Sequence, residues 1–213
     1  MAVQLILASQ SPARLQVLRN AGIEPIVFVS GVDEEAIEAA MPPATPAELC
    51  LALARAKAEQ VARTYPLQAG QIIVGCDSVL DVDGQAFSKP SSPQQARERW
   101  QQMFDRSSVL RTGHWVIYGD QAVGAVANTV VHMSRLTDEE MDDYLATGEP
   151  LQVAGGFTLD ALGGAFVTSI EGDASNVIGI SLPTLRQLLA QLGVGWTALW
   201  SATTAHRPTA GAG

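Results

Sequence analysis

The sequence predicts an α/β fold, a single domain with a central mixed β-sheet flanked by helices. Three observations carry that prediction. The chain opens as strand, helix, strand; it then carries two hairpin signals, Asp83-Gly84 and Gly119-Asp120; and its helix starts are marked by repeated caps. The opening pattern favours parallel pairing and the hairpins require antiparallel pairing, so one sheet holding both is mixed.

Val3–Ala8 is a short apolar run that suits a buried strand, and Pro12–Asn20 follows as a helix stopped by Gly22. Pro25–Val29 reads as a second strand, and Gly31–Glu38 as an acidic stretch ended by Pro42-Pro43. Pro46–Thr64 is a long helix with Leu49, Leu53, Ala56 and Val61 on one side. Gln71–Leu80 is a strand, Pro93–Phe104 a helix, and Val109–Tyr118 with Ala122–Met133 a β-rich pair. Asp138–Ala146 is a helix. The stretch from Gly155 to Gly179 is Gly-rich and irregular, with a strand near Ala165–Ile170, and Pro183–Leu192 is the last helix. No repeat or linker splits the chain, so residues 1–200 read as one domain and 201–213, small and polar, as a disordered tail.

Three helix starts read as capping boxes: Thr45-Pro46-Ala47-Glu48, Ser92-Pro93-Gln94-Gln95 and Thr137-Asp138-Glu139-Glu140. The first helix differs. Ser9-Gln10-Ser11-Pro12-Ala13-Arg14 puts a cation where the others place Glu or Gln. A cation at a positive helix end is unfavourable unless an anion sits there, when backbone N–H groups and the Arg converge on it. Ser9, Ser11 and Arg14 thus read as a phosphate loop; the alternative is an Arg14 bent out to water.

Composition narrows the chemistry. Of 213 residues 47% are hydrophobic and 16% charged, an ordinary globular balance. No apolar run is long enough to span a membrane, and the N-terminus lacks a signal-peptide pattern, so a cytoplasmic protein is expected. The net charge of −9 argues against a nucleic-acid polymer as partner but allows a small anion carried with a divalent metal. Cys50 and Cys76 lack metal or redox spacing, as do His114, His132 and His206 for a metal. Eleven of the thirteen basic residues are Arg, which singles out Lys57 and Lys89.

Three further places carry polar groups at element ends. Asp33-Glu34-Glu35 would suit a hard divalent ion, or is a solvated acidic turn. Asp77 interrupts the apolar run Ile72–Leu80, where a carboxylate is costly unless paired or metal-bound, and Gly75 beside it would let a ligand approach the backbone. Ser88-Lys89-Pro90 lies across the Asp83-Gly84 turn, which folds Lys89 back toward Asp77. Asp81-Val82-Asp83 looks like a metal motif but is better explained by the turn.

In order and spacing these segments resemble the Maf family of nucleoside triphosphate pyrophosphatases. The matching pieces are Leu7–Arg14, Gly31-Val32-Asp33-Glu34, Ala54–Ala58, Gly75–Val79, Ser88-Lys89-Pro90, Gly148-Glu149-Pro150, Ala154–Phe157 and Glu171–Gly179, covering residues 3–192. The resemblance implies a Maf/ITPase-like fold with a nucleotide-binding cleft, and hydrolysis of a nucleoside triphosphate to monophosphate and pyrophosphate. It also implies Mg²⁺, with Mn²⁺ or Co²⁺ as alternatives, a homodimer, and house-cleaning of non-standard nucleotides. Carried over, Asp77 becomes the catalytic acid/base, with Lys89 and Glu34 in the same machinery, and Glu34 and Asp77 the metal ligands. Ser9, Ser11, Arg14, Lys57 and Lys89 become phosphate ligands, and Ser78 and Asp160 face the base. Other readings are a nucleotide-binding regulator of septum formation with little turnover, and a metal-dependent phosphatase. The chain departs from the family at Ala13, at Val153, and at Thr158-Leu159-Asp160-Ala161, which bears on base preference.

Overall fold

The computed structural model describes residues 3–104, 106 and 108–200, so the tail expected over 201–213 lies outside the described residues. A seven-stranded sheet in the order β2-β1-β3-β5-β6-β7 forms the centre, with β4 paired to the far end of β3. β1 (Gln4–Leu7) lies parallel to β2 (Ile26–Val27) and β3 (Gln71–Val82). β5 (Ser108–Tyr118), β6 (Gln121–Met133) and β7 (Val167–Glu171) continue antiparallel. The sheet is therefore mixed, as the sequence predicts. The β3–β4 turn has positive φ at both Asp83 (52°) and Gly84 (86°), the geometry a two-residue primed turn needs. β4 is Gln85–Phe87.

β3 organises the molecule. It outruns β1, whose last pair is Leu7 with Val74, and meets β4 only from Leu80 onward. Between them, residues 75–79 pair with β5 alone among the described residues. That leaves a notch at the carboxyl end of β1, the kind of place where open α/β sheets bind ligands. Side chains alternate along β3. Ile72, Val74 and Cys76 join Leu5, Leu18 and Leu185 in one core on the face of α1 (Pro12–Asn20) and α7 (Leu182–Gln191). Ile73 and Val79 face α3 (Pro46–Thr64) instead, beside Ala58 and Leu53. Leu80 enters another cluster, with Trp100 of α4 (Pro93–Met103) and Tyr144 of α5 (Asp138–Ala146).

Thr45/Glu48 and Thr137/Glu140 form complete capping boxes. The box at Ser92 is half made: Ser92 Oγ accepts from Gln95 N, but the Gln95 side chain accepts from Ser91 N. The acidic stretch is a helix, α2 (Glu34–Ala40), and not a turn. Asp33 caps it through Ala36 N at 2.9 Å, and Glu34 and Glu35 in the first turn suit its positive end. Ala56 is only half-buried, and Lys57 lies on the buried side of α3. The irregular stretch holds three 3₁₀ turns, Glu149–Gln152, Ala154–Gly156 and Leu162–Phe166, then β7 and the short helix α6 (Ala174–Ile178).

Gly75 serves packing and not ligand approach. A Cβ there would overlap the Ala54 carbonyl oxygen and lie 2.9 Å from Ala58 N, so α3 occupies the room.

Candidate active site

Arg14 is held inside the protein. Ser11 caps α1, its Oγ accepting from Arg14 N at 3.4 Å. The guanidinium then donates from each nitrogen: Nε to Gly179 O (2.7 Å), one terminal nitrogen to Ser9 Oγ (3.2 Å), the other to Ser78 Oγ (3.0 Å). Among the described residues the remaining hydrogen on each terminal nitrogen has no partner, which leaves it for a ligand. Ser9 Oγ also accepts from Ser11 N at 3.1 Å, which folds the loop back on itself. Ser78 Oγ bonds Thr112 Oγ1 at 2.9 Å, across the β3–β5 pair.

On the other face of β3, Lys57 Nζ lies 2.6 Å from Asp77 Oδ1 and 2.9 Å from Glu34 Oε1. The lysine and Asp77 are each only 7% exposed, whereas the Glu34 side chain is 53% exposed. Burial pushes the Asp77 carboxyl above the ordinary carboxylate range, against the charges of Lys57 and Arg14. A carboxyl raised in this way holds a proton more tightly than a free one, which suits a group asked to accept a proton. For Asp77 as the general base proposed below, activity is expected to fall on acidification as the carboxyl protonates. Lys57→Met removes one opposing charge, so the carboxyl rises further. We expect the acid limb of kcat/KM to move to higher pH in that variant; a limb that stays put or moves to lower pH would contradict this.

Adjacent strand residues thus aim at different partners, Asp77 at Lys57 and Ser78 at Arg14. The structure brings Ser9, Ser11, Arg14 and Ser78 into one group, and Glu34, Lys57 and Asp77 into another on the opposite side of the same strand segment. Ser78, read from the sequence as base-side, is partnered with Arg14. Lys89 follows β4 in an exposed loop; the register Leu80 with Phe87 turns it back along β3, but its ammonium makes no ion pair among the described residues. Asp160 is exposed, on the loop between the second and third 3₁₀ turns.

Thr112, His114 and Asn176 escape sequence reading because their roles depend on strand register. His114, wholly buried, is held near pKa 4 by desolvation and is neutral. Its Nε2 accepts from Ser181 N at 2.8 Å, which leaves Nδ1 as the donor to Thr112 O at 3.0 Å. That bond fixes the segment carrying Gly179, the carbonyl that receives Arg14. Asn176 Nδ2 donates to Leu110 O and Thr129 Oγ1, docking α6 on the sheet. Cys50 and Cys76 are buried and free, their thiols pushed up by desolvation to about 12 and about 11, so neither is a ready nucleophile. Asp81, of the discarded metal motif, pairs with Arg111 at 2.7 Å and accepts from Gly84 N in the turn.

Among the described residues no three His, Cys, Asp or Glu side chains converge as a metal cage. Glu34 and Asp77, which share one ammonium, are two hard oxygen donors. That set fits Mg²⁺, which is bound through one or two carboxylates with substrate phosphates completing its shell.

Fold and site together define an α/β protein whose sheet notch is lined by a clamped arginine and a buried carboxylate–lysine pair. The chain matches the family described as Maf-like protein over residues 4–192 and belongs to it. A protein of Streptomyces coelicolor, "Nucleoside triphosphate pyrophosphatase", is 54% identical over 200 residues, covering 93% of this chain and 95% of the relative. One of the same name from Nocardia farcinica is 55% identical over 203 residues (92% and 96% covered). Another, from Salinispora tropica, is 50% identical over 215 residues (98% and 92% covered).

Proposed function

We propose that this chain hydrolyses nucleoside triphosphates to nucleoside monophosphate and pyrophosphate, with non-standard nucleotides as a substrate class. The observation that carries the reading is Asp77, buried, raised and held by Lys57, beside an arginine with free donors. The names of the relatives support it. The phosphates dock against Arg14, the Ser9–Ser11 loop, Lys57 and Lys89. Lys57 turns from its carboxylates toward phosphate oxygen, and Lys89 closes from the exposed rim. Asp77 takes a proton from water as the water oxygen bonds the α-phosphorus. The bond from α-phosphorus to the bridging oxygen breaks, and pyrophosphate leaves with its electron pair. Positioning and charge neutralisation supply most of the rate in such transfers. Glu34 and Asp77 would hold Mg²⁺, or Mn²⁺ or Co²⁺, which adds charge neutralisation on the phosphates when bound.

The net charge of −9 supports a small-molecule substrate over a nucleic-acid polymer. No helix among the described residues is long and apolar enough to cross a membrane. The homodimer rests on the family resemblance, and the cytoplasmic location on the two free cysteines, which suit a reducing compartment.

The test is incubation of the purified protein with a panel of triphosphates and Mg²⁺ or Mn²⁺, with products resolved by phosphorus NMR. Monophosphate and pyrophosphate are expected. Diphosphate and orthophosphate, or tight binding without turnover, would refute the proposal.

A further inference from the structure

His114 is a buried titratable group that no step of the hydrolysis uses. It lies on β5 opposite Cys76, one register position from the pair of Gly113 with Asp77. Its two ring nitrogens lead to two of the three acceptors that hold the Arg14 guanidinium. Nδ1 donates to Thr112 O at 3.0 Å, and the hydroxyl of the same threonine bonds Ser78 Oγ at 2.9 Å, which accepts from Arg14. Nε2 accepts from Ser181 N at 2.8 Å. Ser181 lies two residues past Gly179, whose carbonyl accepts from Arg14 Nε at 2.7 Å.

The second arm is the one that depends on the ring. Residues 179–182 join α6 to α7. Gly179 N and Ile180 N bond back to Ser175 O, each at 3.2 Å, and Leu182 N bonds Ser175 Oγ at 3.0 Å. Among the described residues, Ser181 N is thus the one amide of this link that reaches the sheet, and it does so through His114. The link is tight against the guanidinium: a Cβ on Gly179, whose φ is +121°, would lie 3.2 Å from Arg14 Nε. The ring accepts from Ser181 N only while neutral. Burial keeps it so, and the Arg14 charge acts in the same direction. A buried N–H that loses its acceptor is costly, so without the ring the link shifts to find another.

We propose that His114 is a positioning residue for Arg14, holding the Gly179 carbonyl through Ser181 so that the guanidinium presents its free hydrogens to substrate phosphate in one orientation. The inference rests on the triphosphate hydrolysis proposed above. Such an action weakens the hold on phosphate and leaves the proton transfer at Asp77, on the other face of β3, alone. In steady-state kinetics, His114→Asn keeps a donor for Thr112 O but is too short to accept from Ser181 N, so KM rises about tenfold while kcat stays within about twofold. His114→Gln puts an amide oxygen where Nε2 stood and brings KM back to within about threefold of wild type. In an Arg14→Lys background, which has no Nε donor for Gly179 O, His114→Asn adds less than about twofold to KM. If His114→Asn does not fold, His114→Phe, which keeps the ring and deletes both nitrogens, carries the comparison. Equal losses in the Asn and Gln variants, a loss confined to kcat, or the same rise in KM with and without Arg14→Lys would overturn the inference. A wild type that cleaves no triphosphate would overturn the reading beneath it, and this inference with it.

Discussion

Asp77→Asn lowers kcat for pyrophosphate release by about 10³-fold, the scale of a lost general base. The amide is nearly isosteric and keeps an oxygen for the Lys57 ammonium, now 2.6 Å from Oδ1. Glu34 still pairs with Lys57 at 2.9 Å, so the buried ammonium is not stranded. The thermal midpoint should therefore change little while turnover collapses. Pyrophosphate release and a melting curve on the same preparation separate these effects. Activity within tenfold of wild type would remove Asp77 from the role of base, and a large fall in midpoint would make it structural.

The second large effect is on stability. Gly75→Ala should cost about 3 kcal/mol or more, the upper range for overpacking a filled core. The new methyl overlaps the Ala54 carbonyl, backbone that cannot turn aside as a side chain could. For a chain of 213 residues this amounts to a fall in thermal midpoint of about 10 °C. Relief requires α3 to lift from the sheet, and α3 carries Lys57, so the surviving folded protein should also lose activity. Gly195→Ala is the control, since nothing lies within 4 Å of a Cβ there. A Gly75→Ala protein that melts with wild type would mean that α3 does not seat as closely as described.

Local chemistry made much of the fold readable. α1, α3 and α5 begin and end at the residues read from caps, Pro and periodicity, because those signals lie within a few positions of the boundary they set. α2 was not read: Asp33 followed by two glutamates is an N-cap with first-turn acids, but the same letters also describe a solvated turn or a cation site. The site was readable as a set of unusual residues and not as an arrangement. That Lys57 meets Asp77 depends on how α3 packs over β3, and that Ser78 meets Arg14 depends on which face each strand residue takes. Gly75 shows the limit plainly. Its lack of a side chain signals close approach, but whether ligand or helix fills the space is decided by the rest of the chain.

Cys76 belongs to one hydrophobic core and Leu80 to another, and Asp77 and Ser78 stand between them on the same strand. β3 is therefore a bar set at its two ends in separate blocks, with the chemistry between them on the stretch that pairs with β5 alone among the described residues. Loosening either block transmits to the same few peptide units. Core substitutions far apart in sequence, such as at Leu18 and at Trp100, thus have one shared point of action, and damage in either half of the protein converges on the carboxylate.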